Sequence, residues 1–109
     1  VIELPSTQLD DWGSVAVPLG EPISKLSGKI LTENADGSEA GIWECTPGTW
    51  VRQVMDAEFC TFISGYAIFT PENGEAFEIN AGDIIYFPRN SKGTWDVKAT
   101  LRKTYITMK

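Results

Sequence analysis

Short stretches of alternating apolar and polar residues, interrupted at intervals of roughly ten residues by glycine, proline, asparagine and aspartate, run through most of this chain. Successive side chains on a strand point to opposite faces, so the pattern predicts short half-buried β-strands joined by turns. Strands are expected at 28–33, 41–46, 66–70, 77–79, 84–87, 95–97 and 102–108. Between them lie turn residues: Asn34 to Gly37, Pro47-Gly48, Pro71 to Gly74, Ala81 to Asp83, the polar loop from Arg89 to Gly93, and a short connection at Thr100. Residues 48–65 read as a β-hairpin folded about Asp56, which sets Val54 opposite Glu58, Arg52 opposite Cys60 and Trp50 opposite Phe62. All six then share one face, and an arginine and a glutamate lie together on an aromatic surface.

Residues 1–27 are less periodic and contain three prolines, so they are expected to form an arm over a barrel spanning 28–109. Thr7 and Asp10 have capping-box spacing and Gly13 can end a helical turn, which predicts one turn ahead of Trp12. Strand-like alternation from Val15 to Leu19 gives the arm apolar surface with which to dock. Seven or so short strands with no helical periodicity specify an all-β sandwich or barrel.

The chain has 109 residues, enough for one domain that buries roughly 60–70% of its unfolded surface. Fifteen acidic residues against nine basic ones give a net charge of −6, with no basic cluster, so neither nucleic acid nor an anionic membrane is an expected partner. Its apolar runs are too short to span a bilayer, and a cytoplasmic location is expected. Cys45 and Cys60 form no C-x-x-C pair and are expected as reduced core thiols, although Cys60, on the face of Glu58, could be reactive. The chain contains no histidine, which removes the commonest metal ligand and the usual general base.

The spacing of residues 28–107 resembles the cupin superfamily. Glu58, six residues and Gly65 match the end of the first cupin motif; Gly82, five residues, Pro88, Arg89 and Asn90 match the start of the second, with Asn90 in place of a glycine. The segments Gly41-Ile-Trp-Glu-Cys-Thr-Pro-Gly48, Lys92-Gly-Thr-Trp-Asp-Val97 and Arg102-Lys-Thr-Tyr105 look like small single-domain cupins related to (S)-ureidoglycine aminohydrolase and the ethanolamine-utilisation cupin. The resemblance implies a double-stranded β-helix, or jelly roll. Of the family's metal ligands only Glu58 is kept: the histidine positions hold Arg52, Val54 and Gly93.

No metal or other cofactor is therefore expected, and the Arg52 guanidinium takes the ion's electrostatic place beside Glu58. The expected function is metal-independent binding of a small polar or anionic metabolite, with acid/base turnover as an extension. Arg52, Trp50, Cys60 and Trp95 are the candidate ligand-binding residues, and Glu58 is the candidate acid/base. Lys103 is expected at the surface, but if it points inward it becomes a second cationic or catalytic group, since Arg102 and Lys103 lie on opposite faces. A metal-dependent aminohydrolase and a non-catalytic assembly protein with tryptophans at its interface are the competing readings. Exposed sheet edges and the apolar arm predict a homodimer.

Overall fold

The computed structural model describes residues 8–108. They form eight strands: β1 (Asp10–Ser14), β2 (Lys25–Glu33), β3 (Glu39–Cys45), β4 (Gly48–Gln53), β5 (Ala57–Pro71), β6 (Phe77–Asn80), β7 (Ile84–Phe87) and β8 (Lys92–Met108). None of these residues is helical, and Asp10, expected in a helical turn, begins β1 instead, where it pairs with Gly28. Thr7, the other half of the expected capping box, lies outside the described residues.

Two long strands organise the rest. β5 and β8 pair antiparallel from Ala57↔Met108 to Pro71↔Gly93, with register shifts between Phe62 and Ala67. The first half of β5 also pairs with β7, and its second half with β6. Likewise the first half of β8 pairs with β4, and its second half with β3. One bent ribbon thus contributes to two facing sheets, the geometry of a jelly-roll barrel. The bend falls at Gly65, whose φ of 98° suits glycine and whose Cβ, if present, would collide with the Thr100 carbonyl. The bulged residues also change the parity of the inner face, from Glu58, Cys60 and Phe62 to Ala67 and Phe69.

Three sequence expectations change here. The second arm of the expected 48–65 hairpin and residues 66–70 are one strand rather than two, as are 95–97 and 102–108, because a bulge bends a strand without ending its ladder. The hairpin about Asp56 does not form. β4 pairs with β8, placing Trp50 opposite Trp95 and Arg52 opposite Gly93, and residues 54–56 carry the chain across to the other sheet. Arg52 and Glu58 still meet, because the inner faces of both sheets enclose one core.

The arm docks mainly through its backbone. Val51 N–H donates to the Val17 carbonyl at 3.0 Å, and Leu19 N–H to that of Thr49 at 2.9 Å, so residues 17–19 cover the outer edge of β4. Val15 enters the core, whereas Val17 and Leu19 remain exposed. Trp43, Trp50 and Trp95 pack together in the barrel with ring centroids 5.8–6.4 Å apart, and Phe62, Phe69 and Phe87 surround Trp95. Both cysteines are buried and free.

Candidate functional site

Alternation on β5 turns Glu58 and Cys60 inward, and alternation on β8 turns Lys103 and Tyr105 inward. Lys103 lies beside Phe62 on one neighbouring strand and Trp43 on the other, and Cys60 lies beside Tyr105. From the opposite sheet, β4 brings Arg52. Six of the residues singled out from the sequence therefore line the same barrel: Arg52, Glu58, Cys60, Lys103, Trp95 and Trp50.

Glu58 is the hub. Arg52 Nη2 donates to its Oε2 at 2.9 Å, Lys103 Nζ to its Oε1 at 2.6 Å, and the Cys60 thiol to Oε1 at 2.9 Å. The side chains are 18% exposed at Arg52, 6% at Glu58 and 1% at Lys103, so the cluster reaches solvent through arginine. The surface expectation for Lys103 is overturned: a lysine whose β8 position faces the core can be buried because a carboxylate and an aromatic surface await it there. Its ammonium sits 4.4 Å from the Trp43 ring centroid and within 5.9 Å of those of Phe62, Phe87 and Trp95. Arg102, on the opposite face, pairs with Glu44 at 3.0 Å.

Burial alone would raise the Glu58 pKa, but Lys103 and Arg52 outweigh it and hold the carboxyl at about 2. Burial, reinforced by Arg52, lowers the Lys103 pKa from the ordinary lysine value against the attraction of Glu58. Burial pushes the Cys60 thiol up to about 12; Glu58 adds to the rise and Lys103 opposes it. Cys60 is thus a hydrogen-bond donor to Glu58 rather than a ready nucleophile.

The two tryptophans differ in their surroundings. Trp95 is fully buried at the centre of the aromatic cluster, and its Nε1 has no hydrogen-bond partner among the described residues. Trp50 Nε1 and Ser24 Oγ neighbour the Cys45 thiol without reaching full hydrogen-bond geometry, and they oppose the rise that burial gives its pKa. Arg52 Nη1 is buried and, like Trp95 Nε1, has no partner among the described residues. An open groove of about 330 Å³ beside Val51, Glu72 and Lys92 lies outside the barrel and includes none of the cluster.

Sequence reasoning missed a polar pair at the same end. Tyr105 Oη donates to Glu39 Oε2 at 2.7 Å, its ring lies over Gly41, and burial together with Glu39 raises its pKa. The available signal was that Tyr105 shares the parity of Lys103. Trp43, which carries the closest ring contact to Lys103, could be found only once β3 was known to pair with β8.

A cupin-type metal does not fit these residues. Both Glu58 oxygens accept from cations, and the thiol beside them, Cys60, is held protonated and so is a poor ligand. At the third histidine position a side chain on Gly93 would strike the Phe69 ring. Among the described residues no three His, Cys, Asp or Glu side chains gather as a metal site.

The family described as EutQ-like cupin domain matches residues 32–105. Among solved structures, a protein of unknown function of the DUF861 family from Pseudomonas syringae is similar at 21% identity and a TM-score of 0.83. That match covers 94% of this chain and 45% of the other, so the chain spans less than half of the Pseudomonas protein's length. The EutQ protein of Clostridium difficile is similar at 21% identity and a TM-score of 0.77, over 98% of this chain and 84% of the other. The cupin domain of Schizosaccharomyces pombe Cnp3 is similar at 17% identity and 0.71, over 98% and 72%. No curated protein matches. At these identities the structural likenesses establish the fold.

Proposed function

This chain belongs to the EutQ-like cupin domain family, and from that premise we propose that its barrel binds a small organic anion without a metal ion. The observation that carries the reading is two cations on one carboxylate. Arg52 and Lys103 both contact Glu58, leaving one positive charge in excess inside the barrel, and Arg52 Nη1 is a buried donor with no partner among the described residues. A carboxylate or phosphate entering past Arg52 would balance the charge and take up that donor.

Glu58 fixes the two cations. With its pKa near 2 it is a weak base at neutral pH, because efficient proton transfer needs a pKa near the working pH. If turnover accompanies binding, Lys103, whose pKa is lowered, suits proton transfer better. The finer reading as a ureidoglycine aminohydrolase-like enzyme gains no support from a donor set unsuited to a metal.

Calorimetric titration with a panel of small mono- and dicarboxylates and inorganic phosphate tests this. At least one class should bind saturably to the wild-type chain, and Arg52→Met should abolish the heat while the variant stays folded. A silent panel, or undiminished binding by folded Arg52→Met, removes the proposal.

A further inference from the structure

Buried polar atoms normally find a hydrogen-bond partner, so those that lack one mark places where a ligand can complete the core. Among the described residues these atoms are Ser24 Oγ and Trp50 Nε1 near Cys45, and Arg52 Nη1 and Trp95 Nε1 beside the ion cluster. The last two can only donate, and no carboxylate oxygen among the described residues shares their condition. Register brings them to one place. Arg52 faces Gly93 across the β4–β8 ladder, so Trp95, two positions along and on the same inner face, is its diagonal neighbour, a separation that long side chains span. Phe87 borders both, its ring centroid 5.8 Å from the Arg52 guanidinium carbon and 6.1 Å from the Trp95 ring. Lys103 Nζ lies 5.9 Å from the Trp95 ring centroid, so the second cation of the cluster adjoins the same indole.

We infer that this pair forms a halide site, in which chloride is held between Arg52 Nη1 and Trp95 Nε1 at the inner end of the barrel's anion site. The inference rests on the anion-binding reading and specifies the chemistry of that inner end. Three features select a monatomic, monovalent anion. Two donor-only groups call for a ligand that accepts and never donates, which a halide satisfies and a hydrogenphosphate satisfies only in part. Arg52 and Lys103 against Glu58 leave one positive charge to balance, and burial of an ion is tolerated where it is both paired and hydrogen-bonded. The rings of Phe62, Phe69 and Phe87 stand 4.9–6.1 Å from Trp95 by centroid, which limits what can lie beside the indole to the smallest anions. Aromatic ring edges are themselves electropositive and favour an anion in their plane. Chloride at this position occupies the guanidinium that an organic anion needs, so the two compete.

Chloride NMR linewidths test the inference, because an ion held by the protein relaxes faster than a free one. The wild-type chain should broaden the chloride resonance saturably, and bromide should reverse the broadening. Trp95→Phe and Arg52→Lys should each raise the half-saturating chloride concentration about 10-fold. Lys92→Met, at the groove outside the barrel, should leave it unchanged. Thermal unfolding checks that each variant is folded; Arg52→Lys, at the part of the cluster that reaches solvent, keeps the test open if Trp95→Phe fails to fold. Absence of saturable broadening overturns the inference, and so does unchanged chloride affinity in either folded variant, which would mean a loosely attracted ion only. Repeating the calorimetric panel in chloride and in fluoride salts, fluoride holding its water too tightly to enter, separates this inference from the reading beneath it. A carboxylate bound more weakly in chloride supports both. A carboxylate bound alike in the two salts removes the halide and leaves the organic-anion reading standing, whereas a silent panel with no broadening removes both.

Discussion

Lys103 Nζ lies 2.6 Å from Glu58 Oε1 although 45 positions separate the two residues, and both side chains are almost wholly buried. Two opposite charges are thereby removed from water together, with Arg52 completing a three-residue cluster around one carboxylate. Desolvation opposes such an arrangement, and what offsets it is short hydrogen bonding plus the aromatic rings around the ammonium.

Removing the shared carboxylate should therefore cost more than removing either cation. Glu58→Gln leaves Lys103 buried without its counter-charge and is expected to destabilise the fold by about 3–5 kcal/mol in urea denaturation. Adding Lys103→Met to that variant should recover much of the loss. A Glu58→Gln protein as stable as wild type would mean that the buried charges are not coupled.

The same carboxylate sets an acid limb. Its pKa is about 2 in the folded protein against an ordinary 4.5, so its contribution is fully present above 4.5 and lost as pH falls from there towards 2. Linkage puts the contribution at about 3 kcal/mol. Stability measured from pH 6 to pH 2 should fall along that limb in wild type and much less steeply in Glu58→Gln. Parallel profiles would refute the assignment to Glu58.

Both thiols are buried, and burial pushes the Cys60 pKa up to about 12, so it is protonated at neutral pH. Alkylation of the native protein at neutral pH should be slow at both positions and become rapid for both in denaturant. Fast labelling of native Cys60, followed by peptide mass analysis, would show that its environment generates a thiolate.

Tag-free protein equilibrated with manganese, zinc, nickel and iron, then freed of excess, should keep far less than one metal per chain in elemental analysis. The expectation rests on the occupied Glu58 oxygens and the two adjacent cations. Stoichiometric metal would overturn it and redirect attention to Glu58 and Cys60 as ligands.

Alternation and turn chemistry are local properties, so the chain by itself determined most strand positions, the all-β class, and the inward parity of Trp50, Arg52, Glu58 and Cys60. Family-like spacing around Glu58–Gly65 and Gly82–Asn90 supplied the barrel. Pairing partners are not local. Only the tertiary structure decided that β4 lies against β8, where Trp50 stands opposite Trp95 and Arg52 opposite Gly93, residues more than forty positions away. It also decided that Gly65 bends a continuous strand, because nothing in the sequence distinguishes a glycine at a bulge from one at a turn. The burial of Lys103 belongs to the same class: an ammonium stays inside a protein only where a counter-charge and an aromatic surface converge, and Glu58, Trp43 and Trp95 reach it from two other strands and from a distant part of its own, brought together by folding alone.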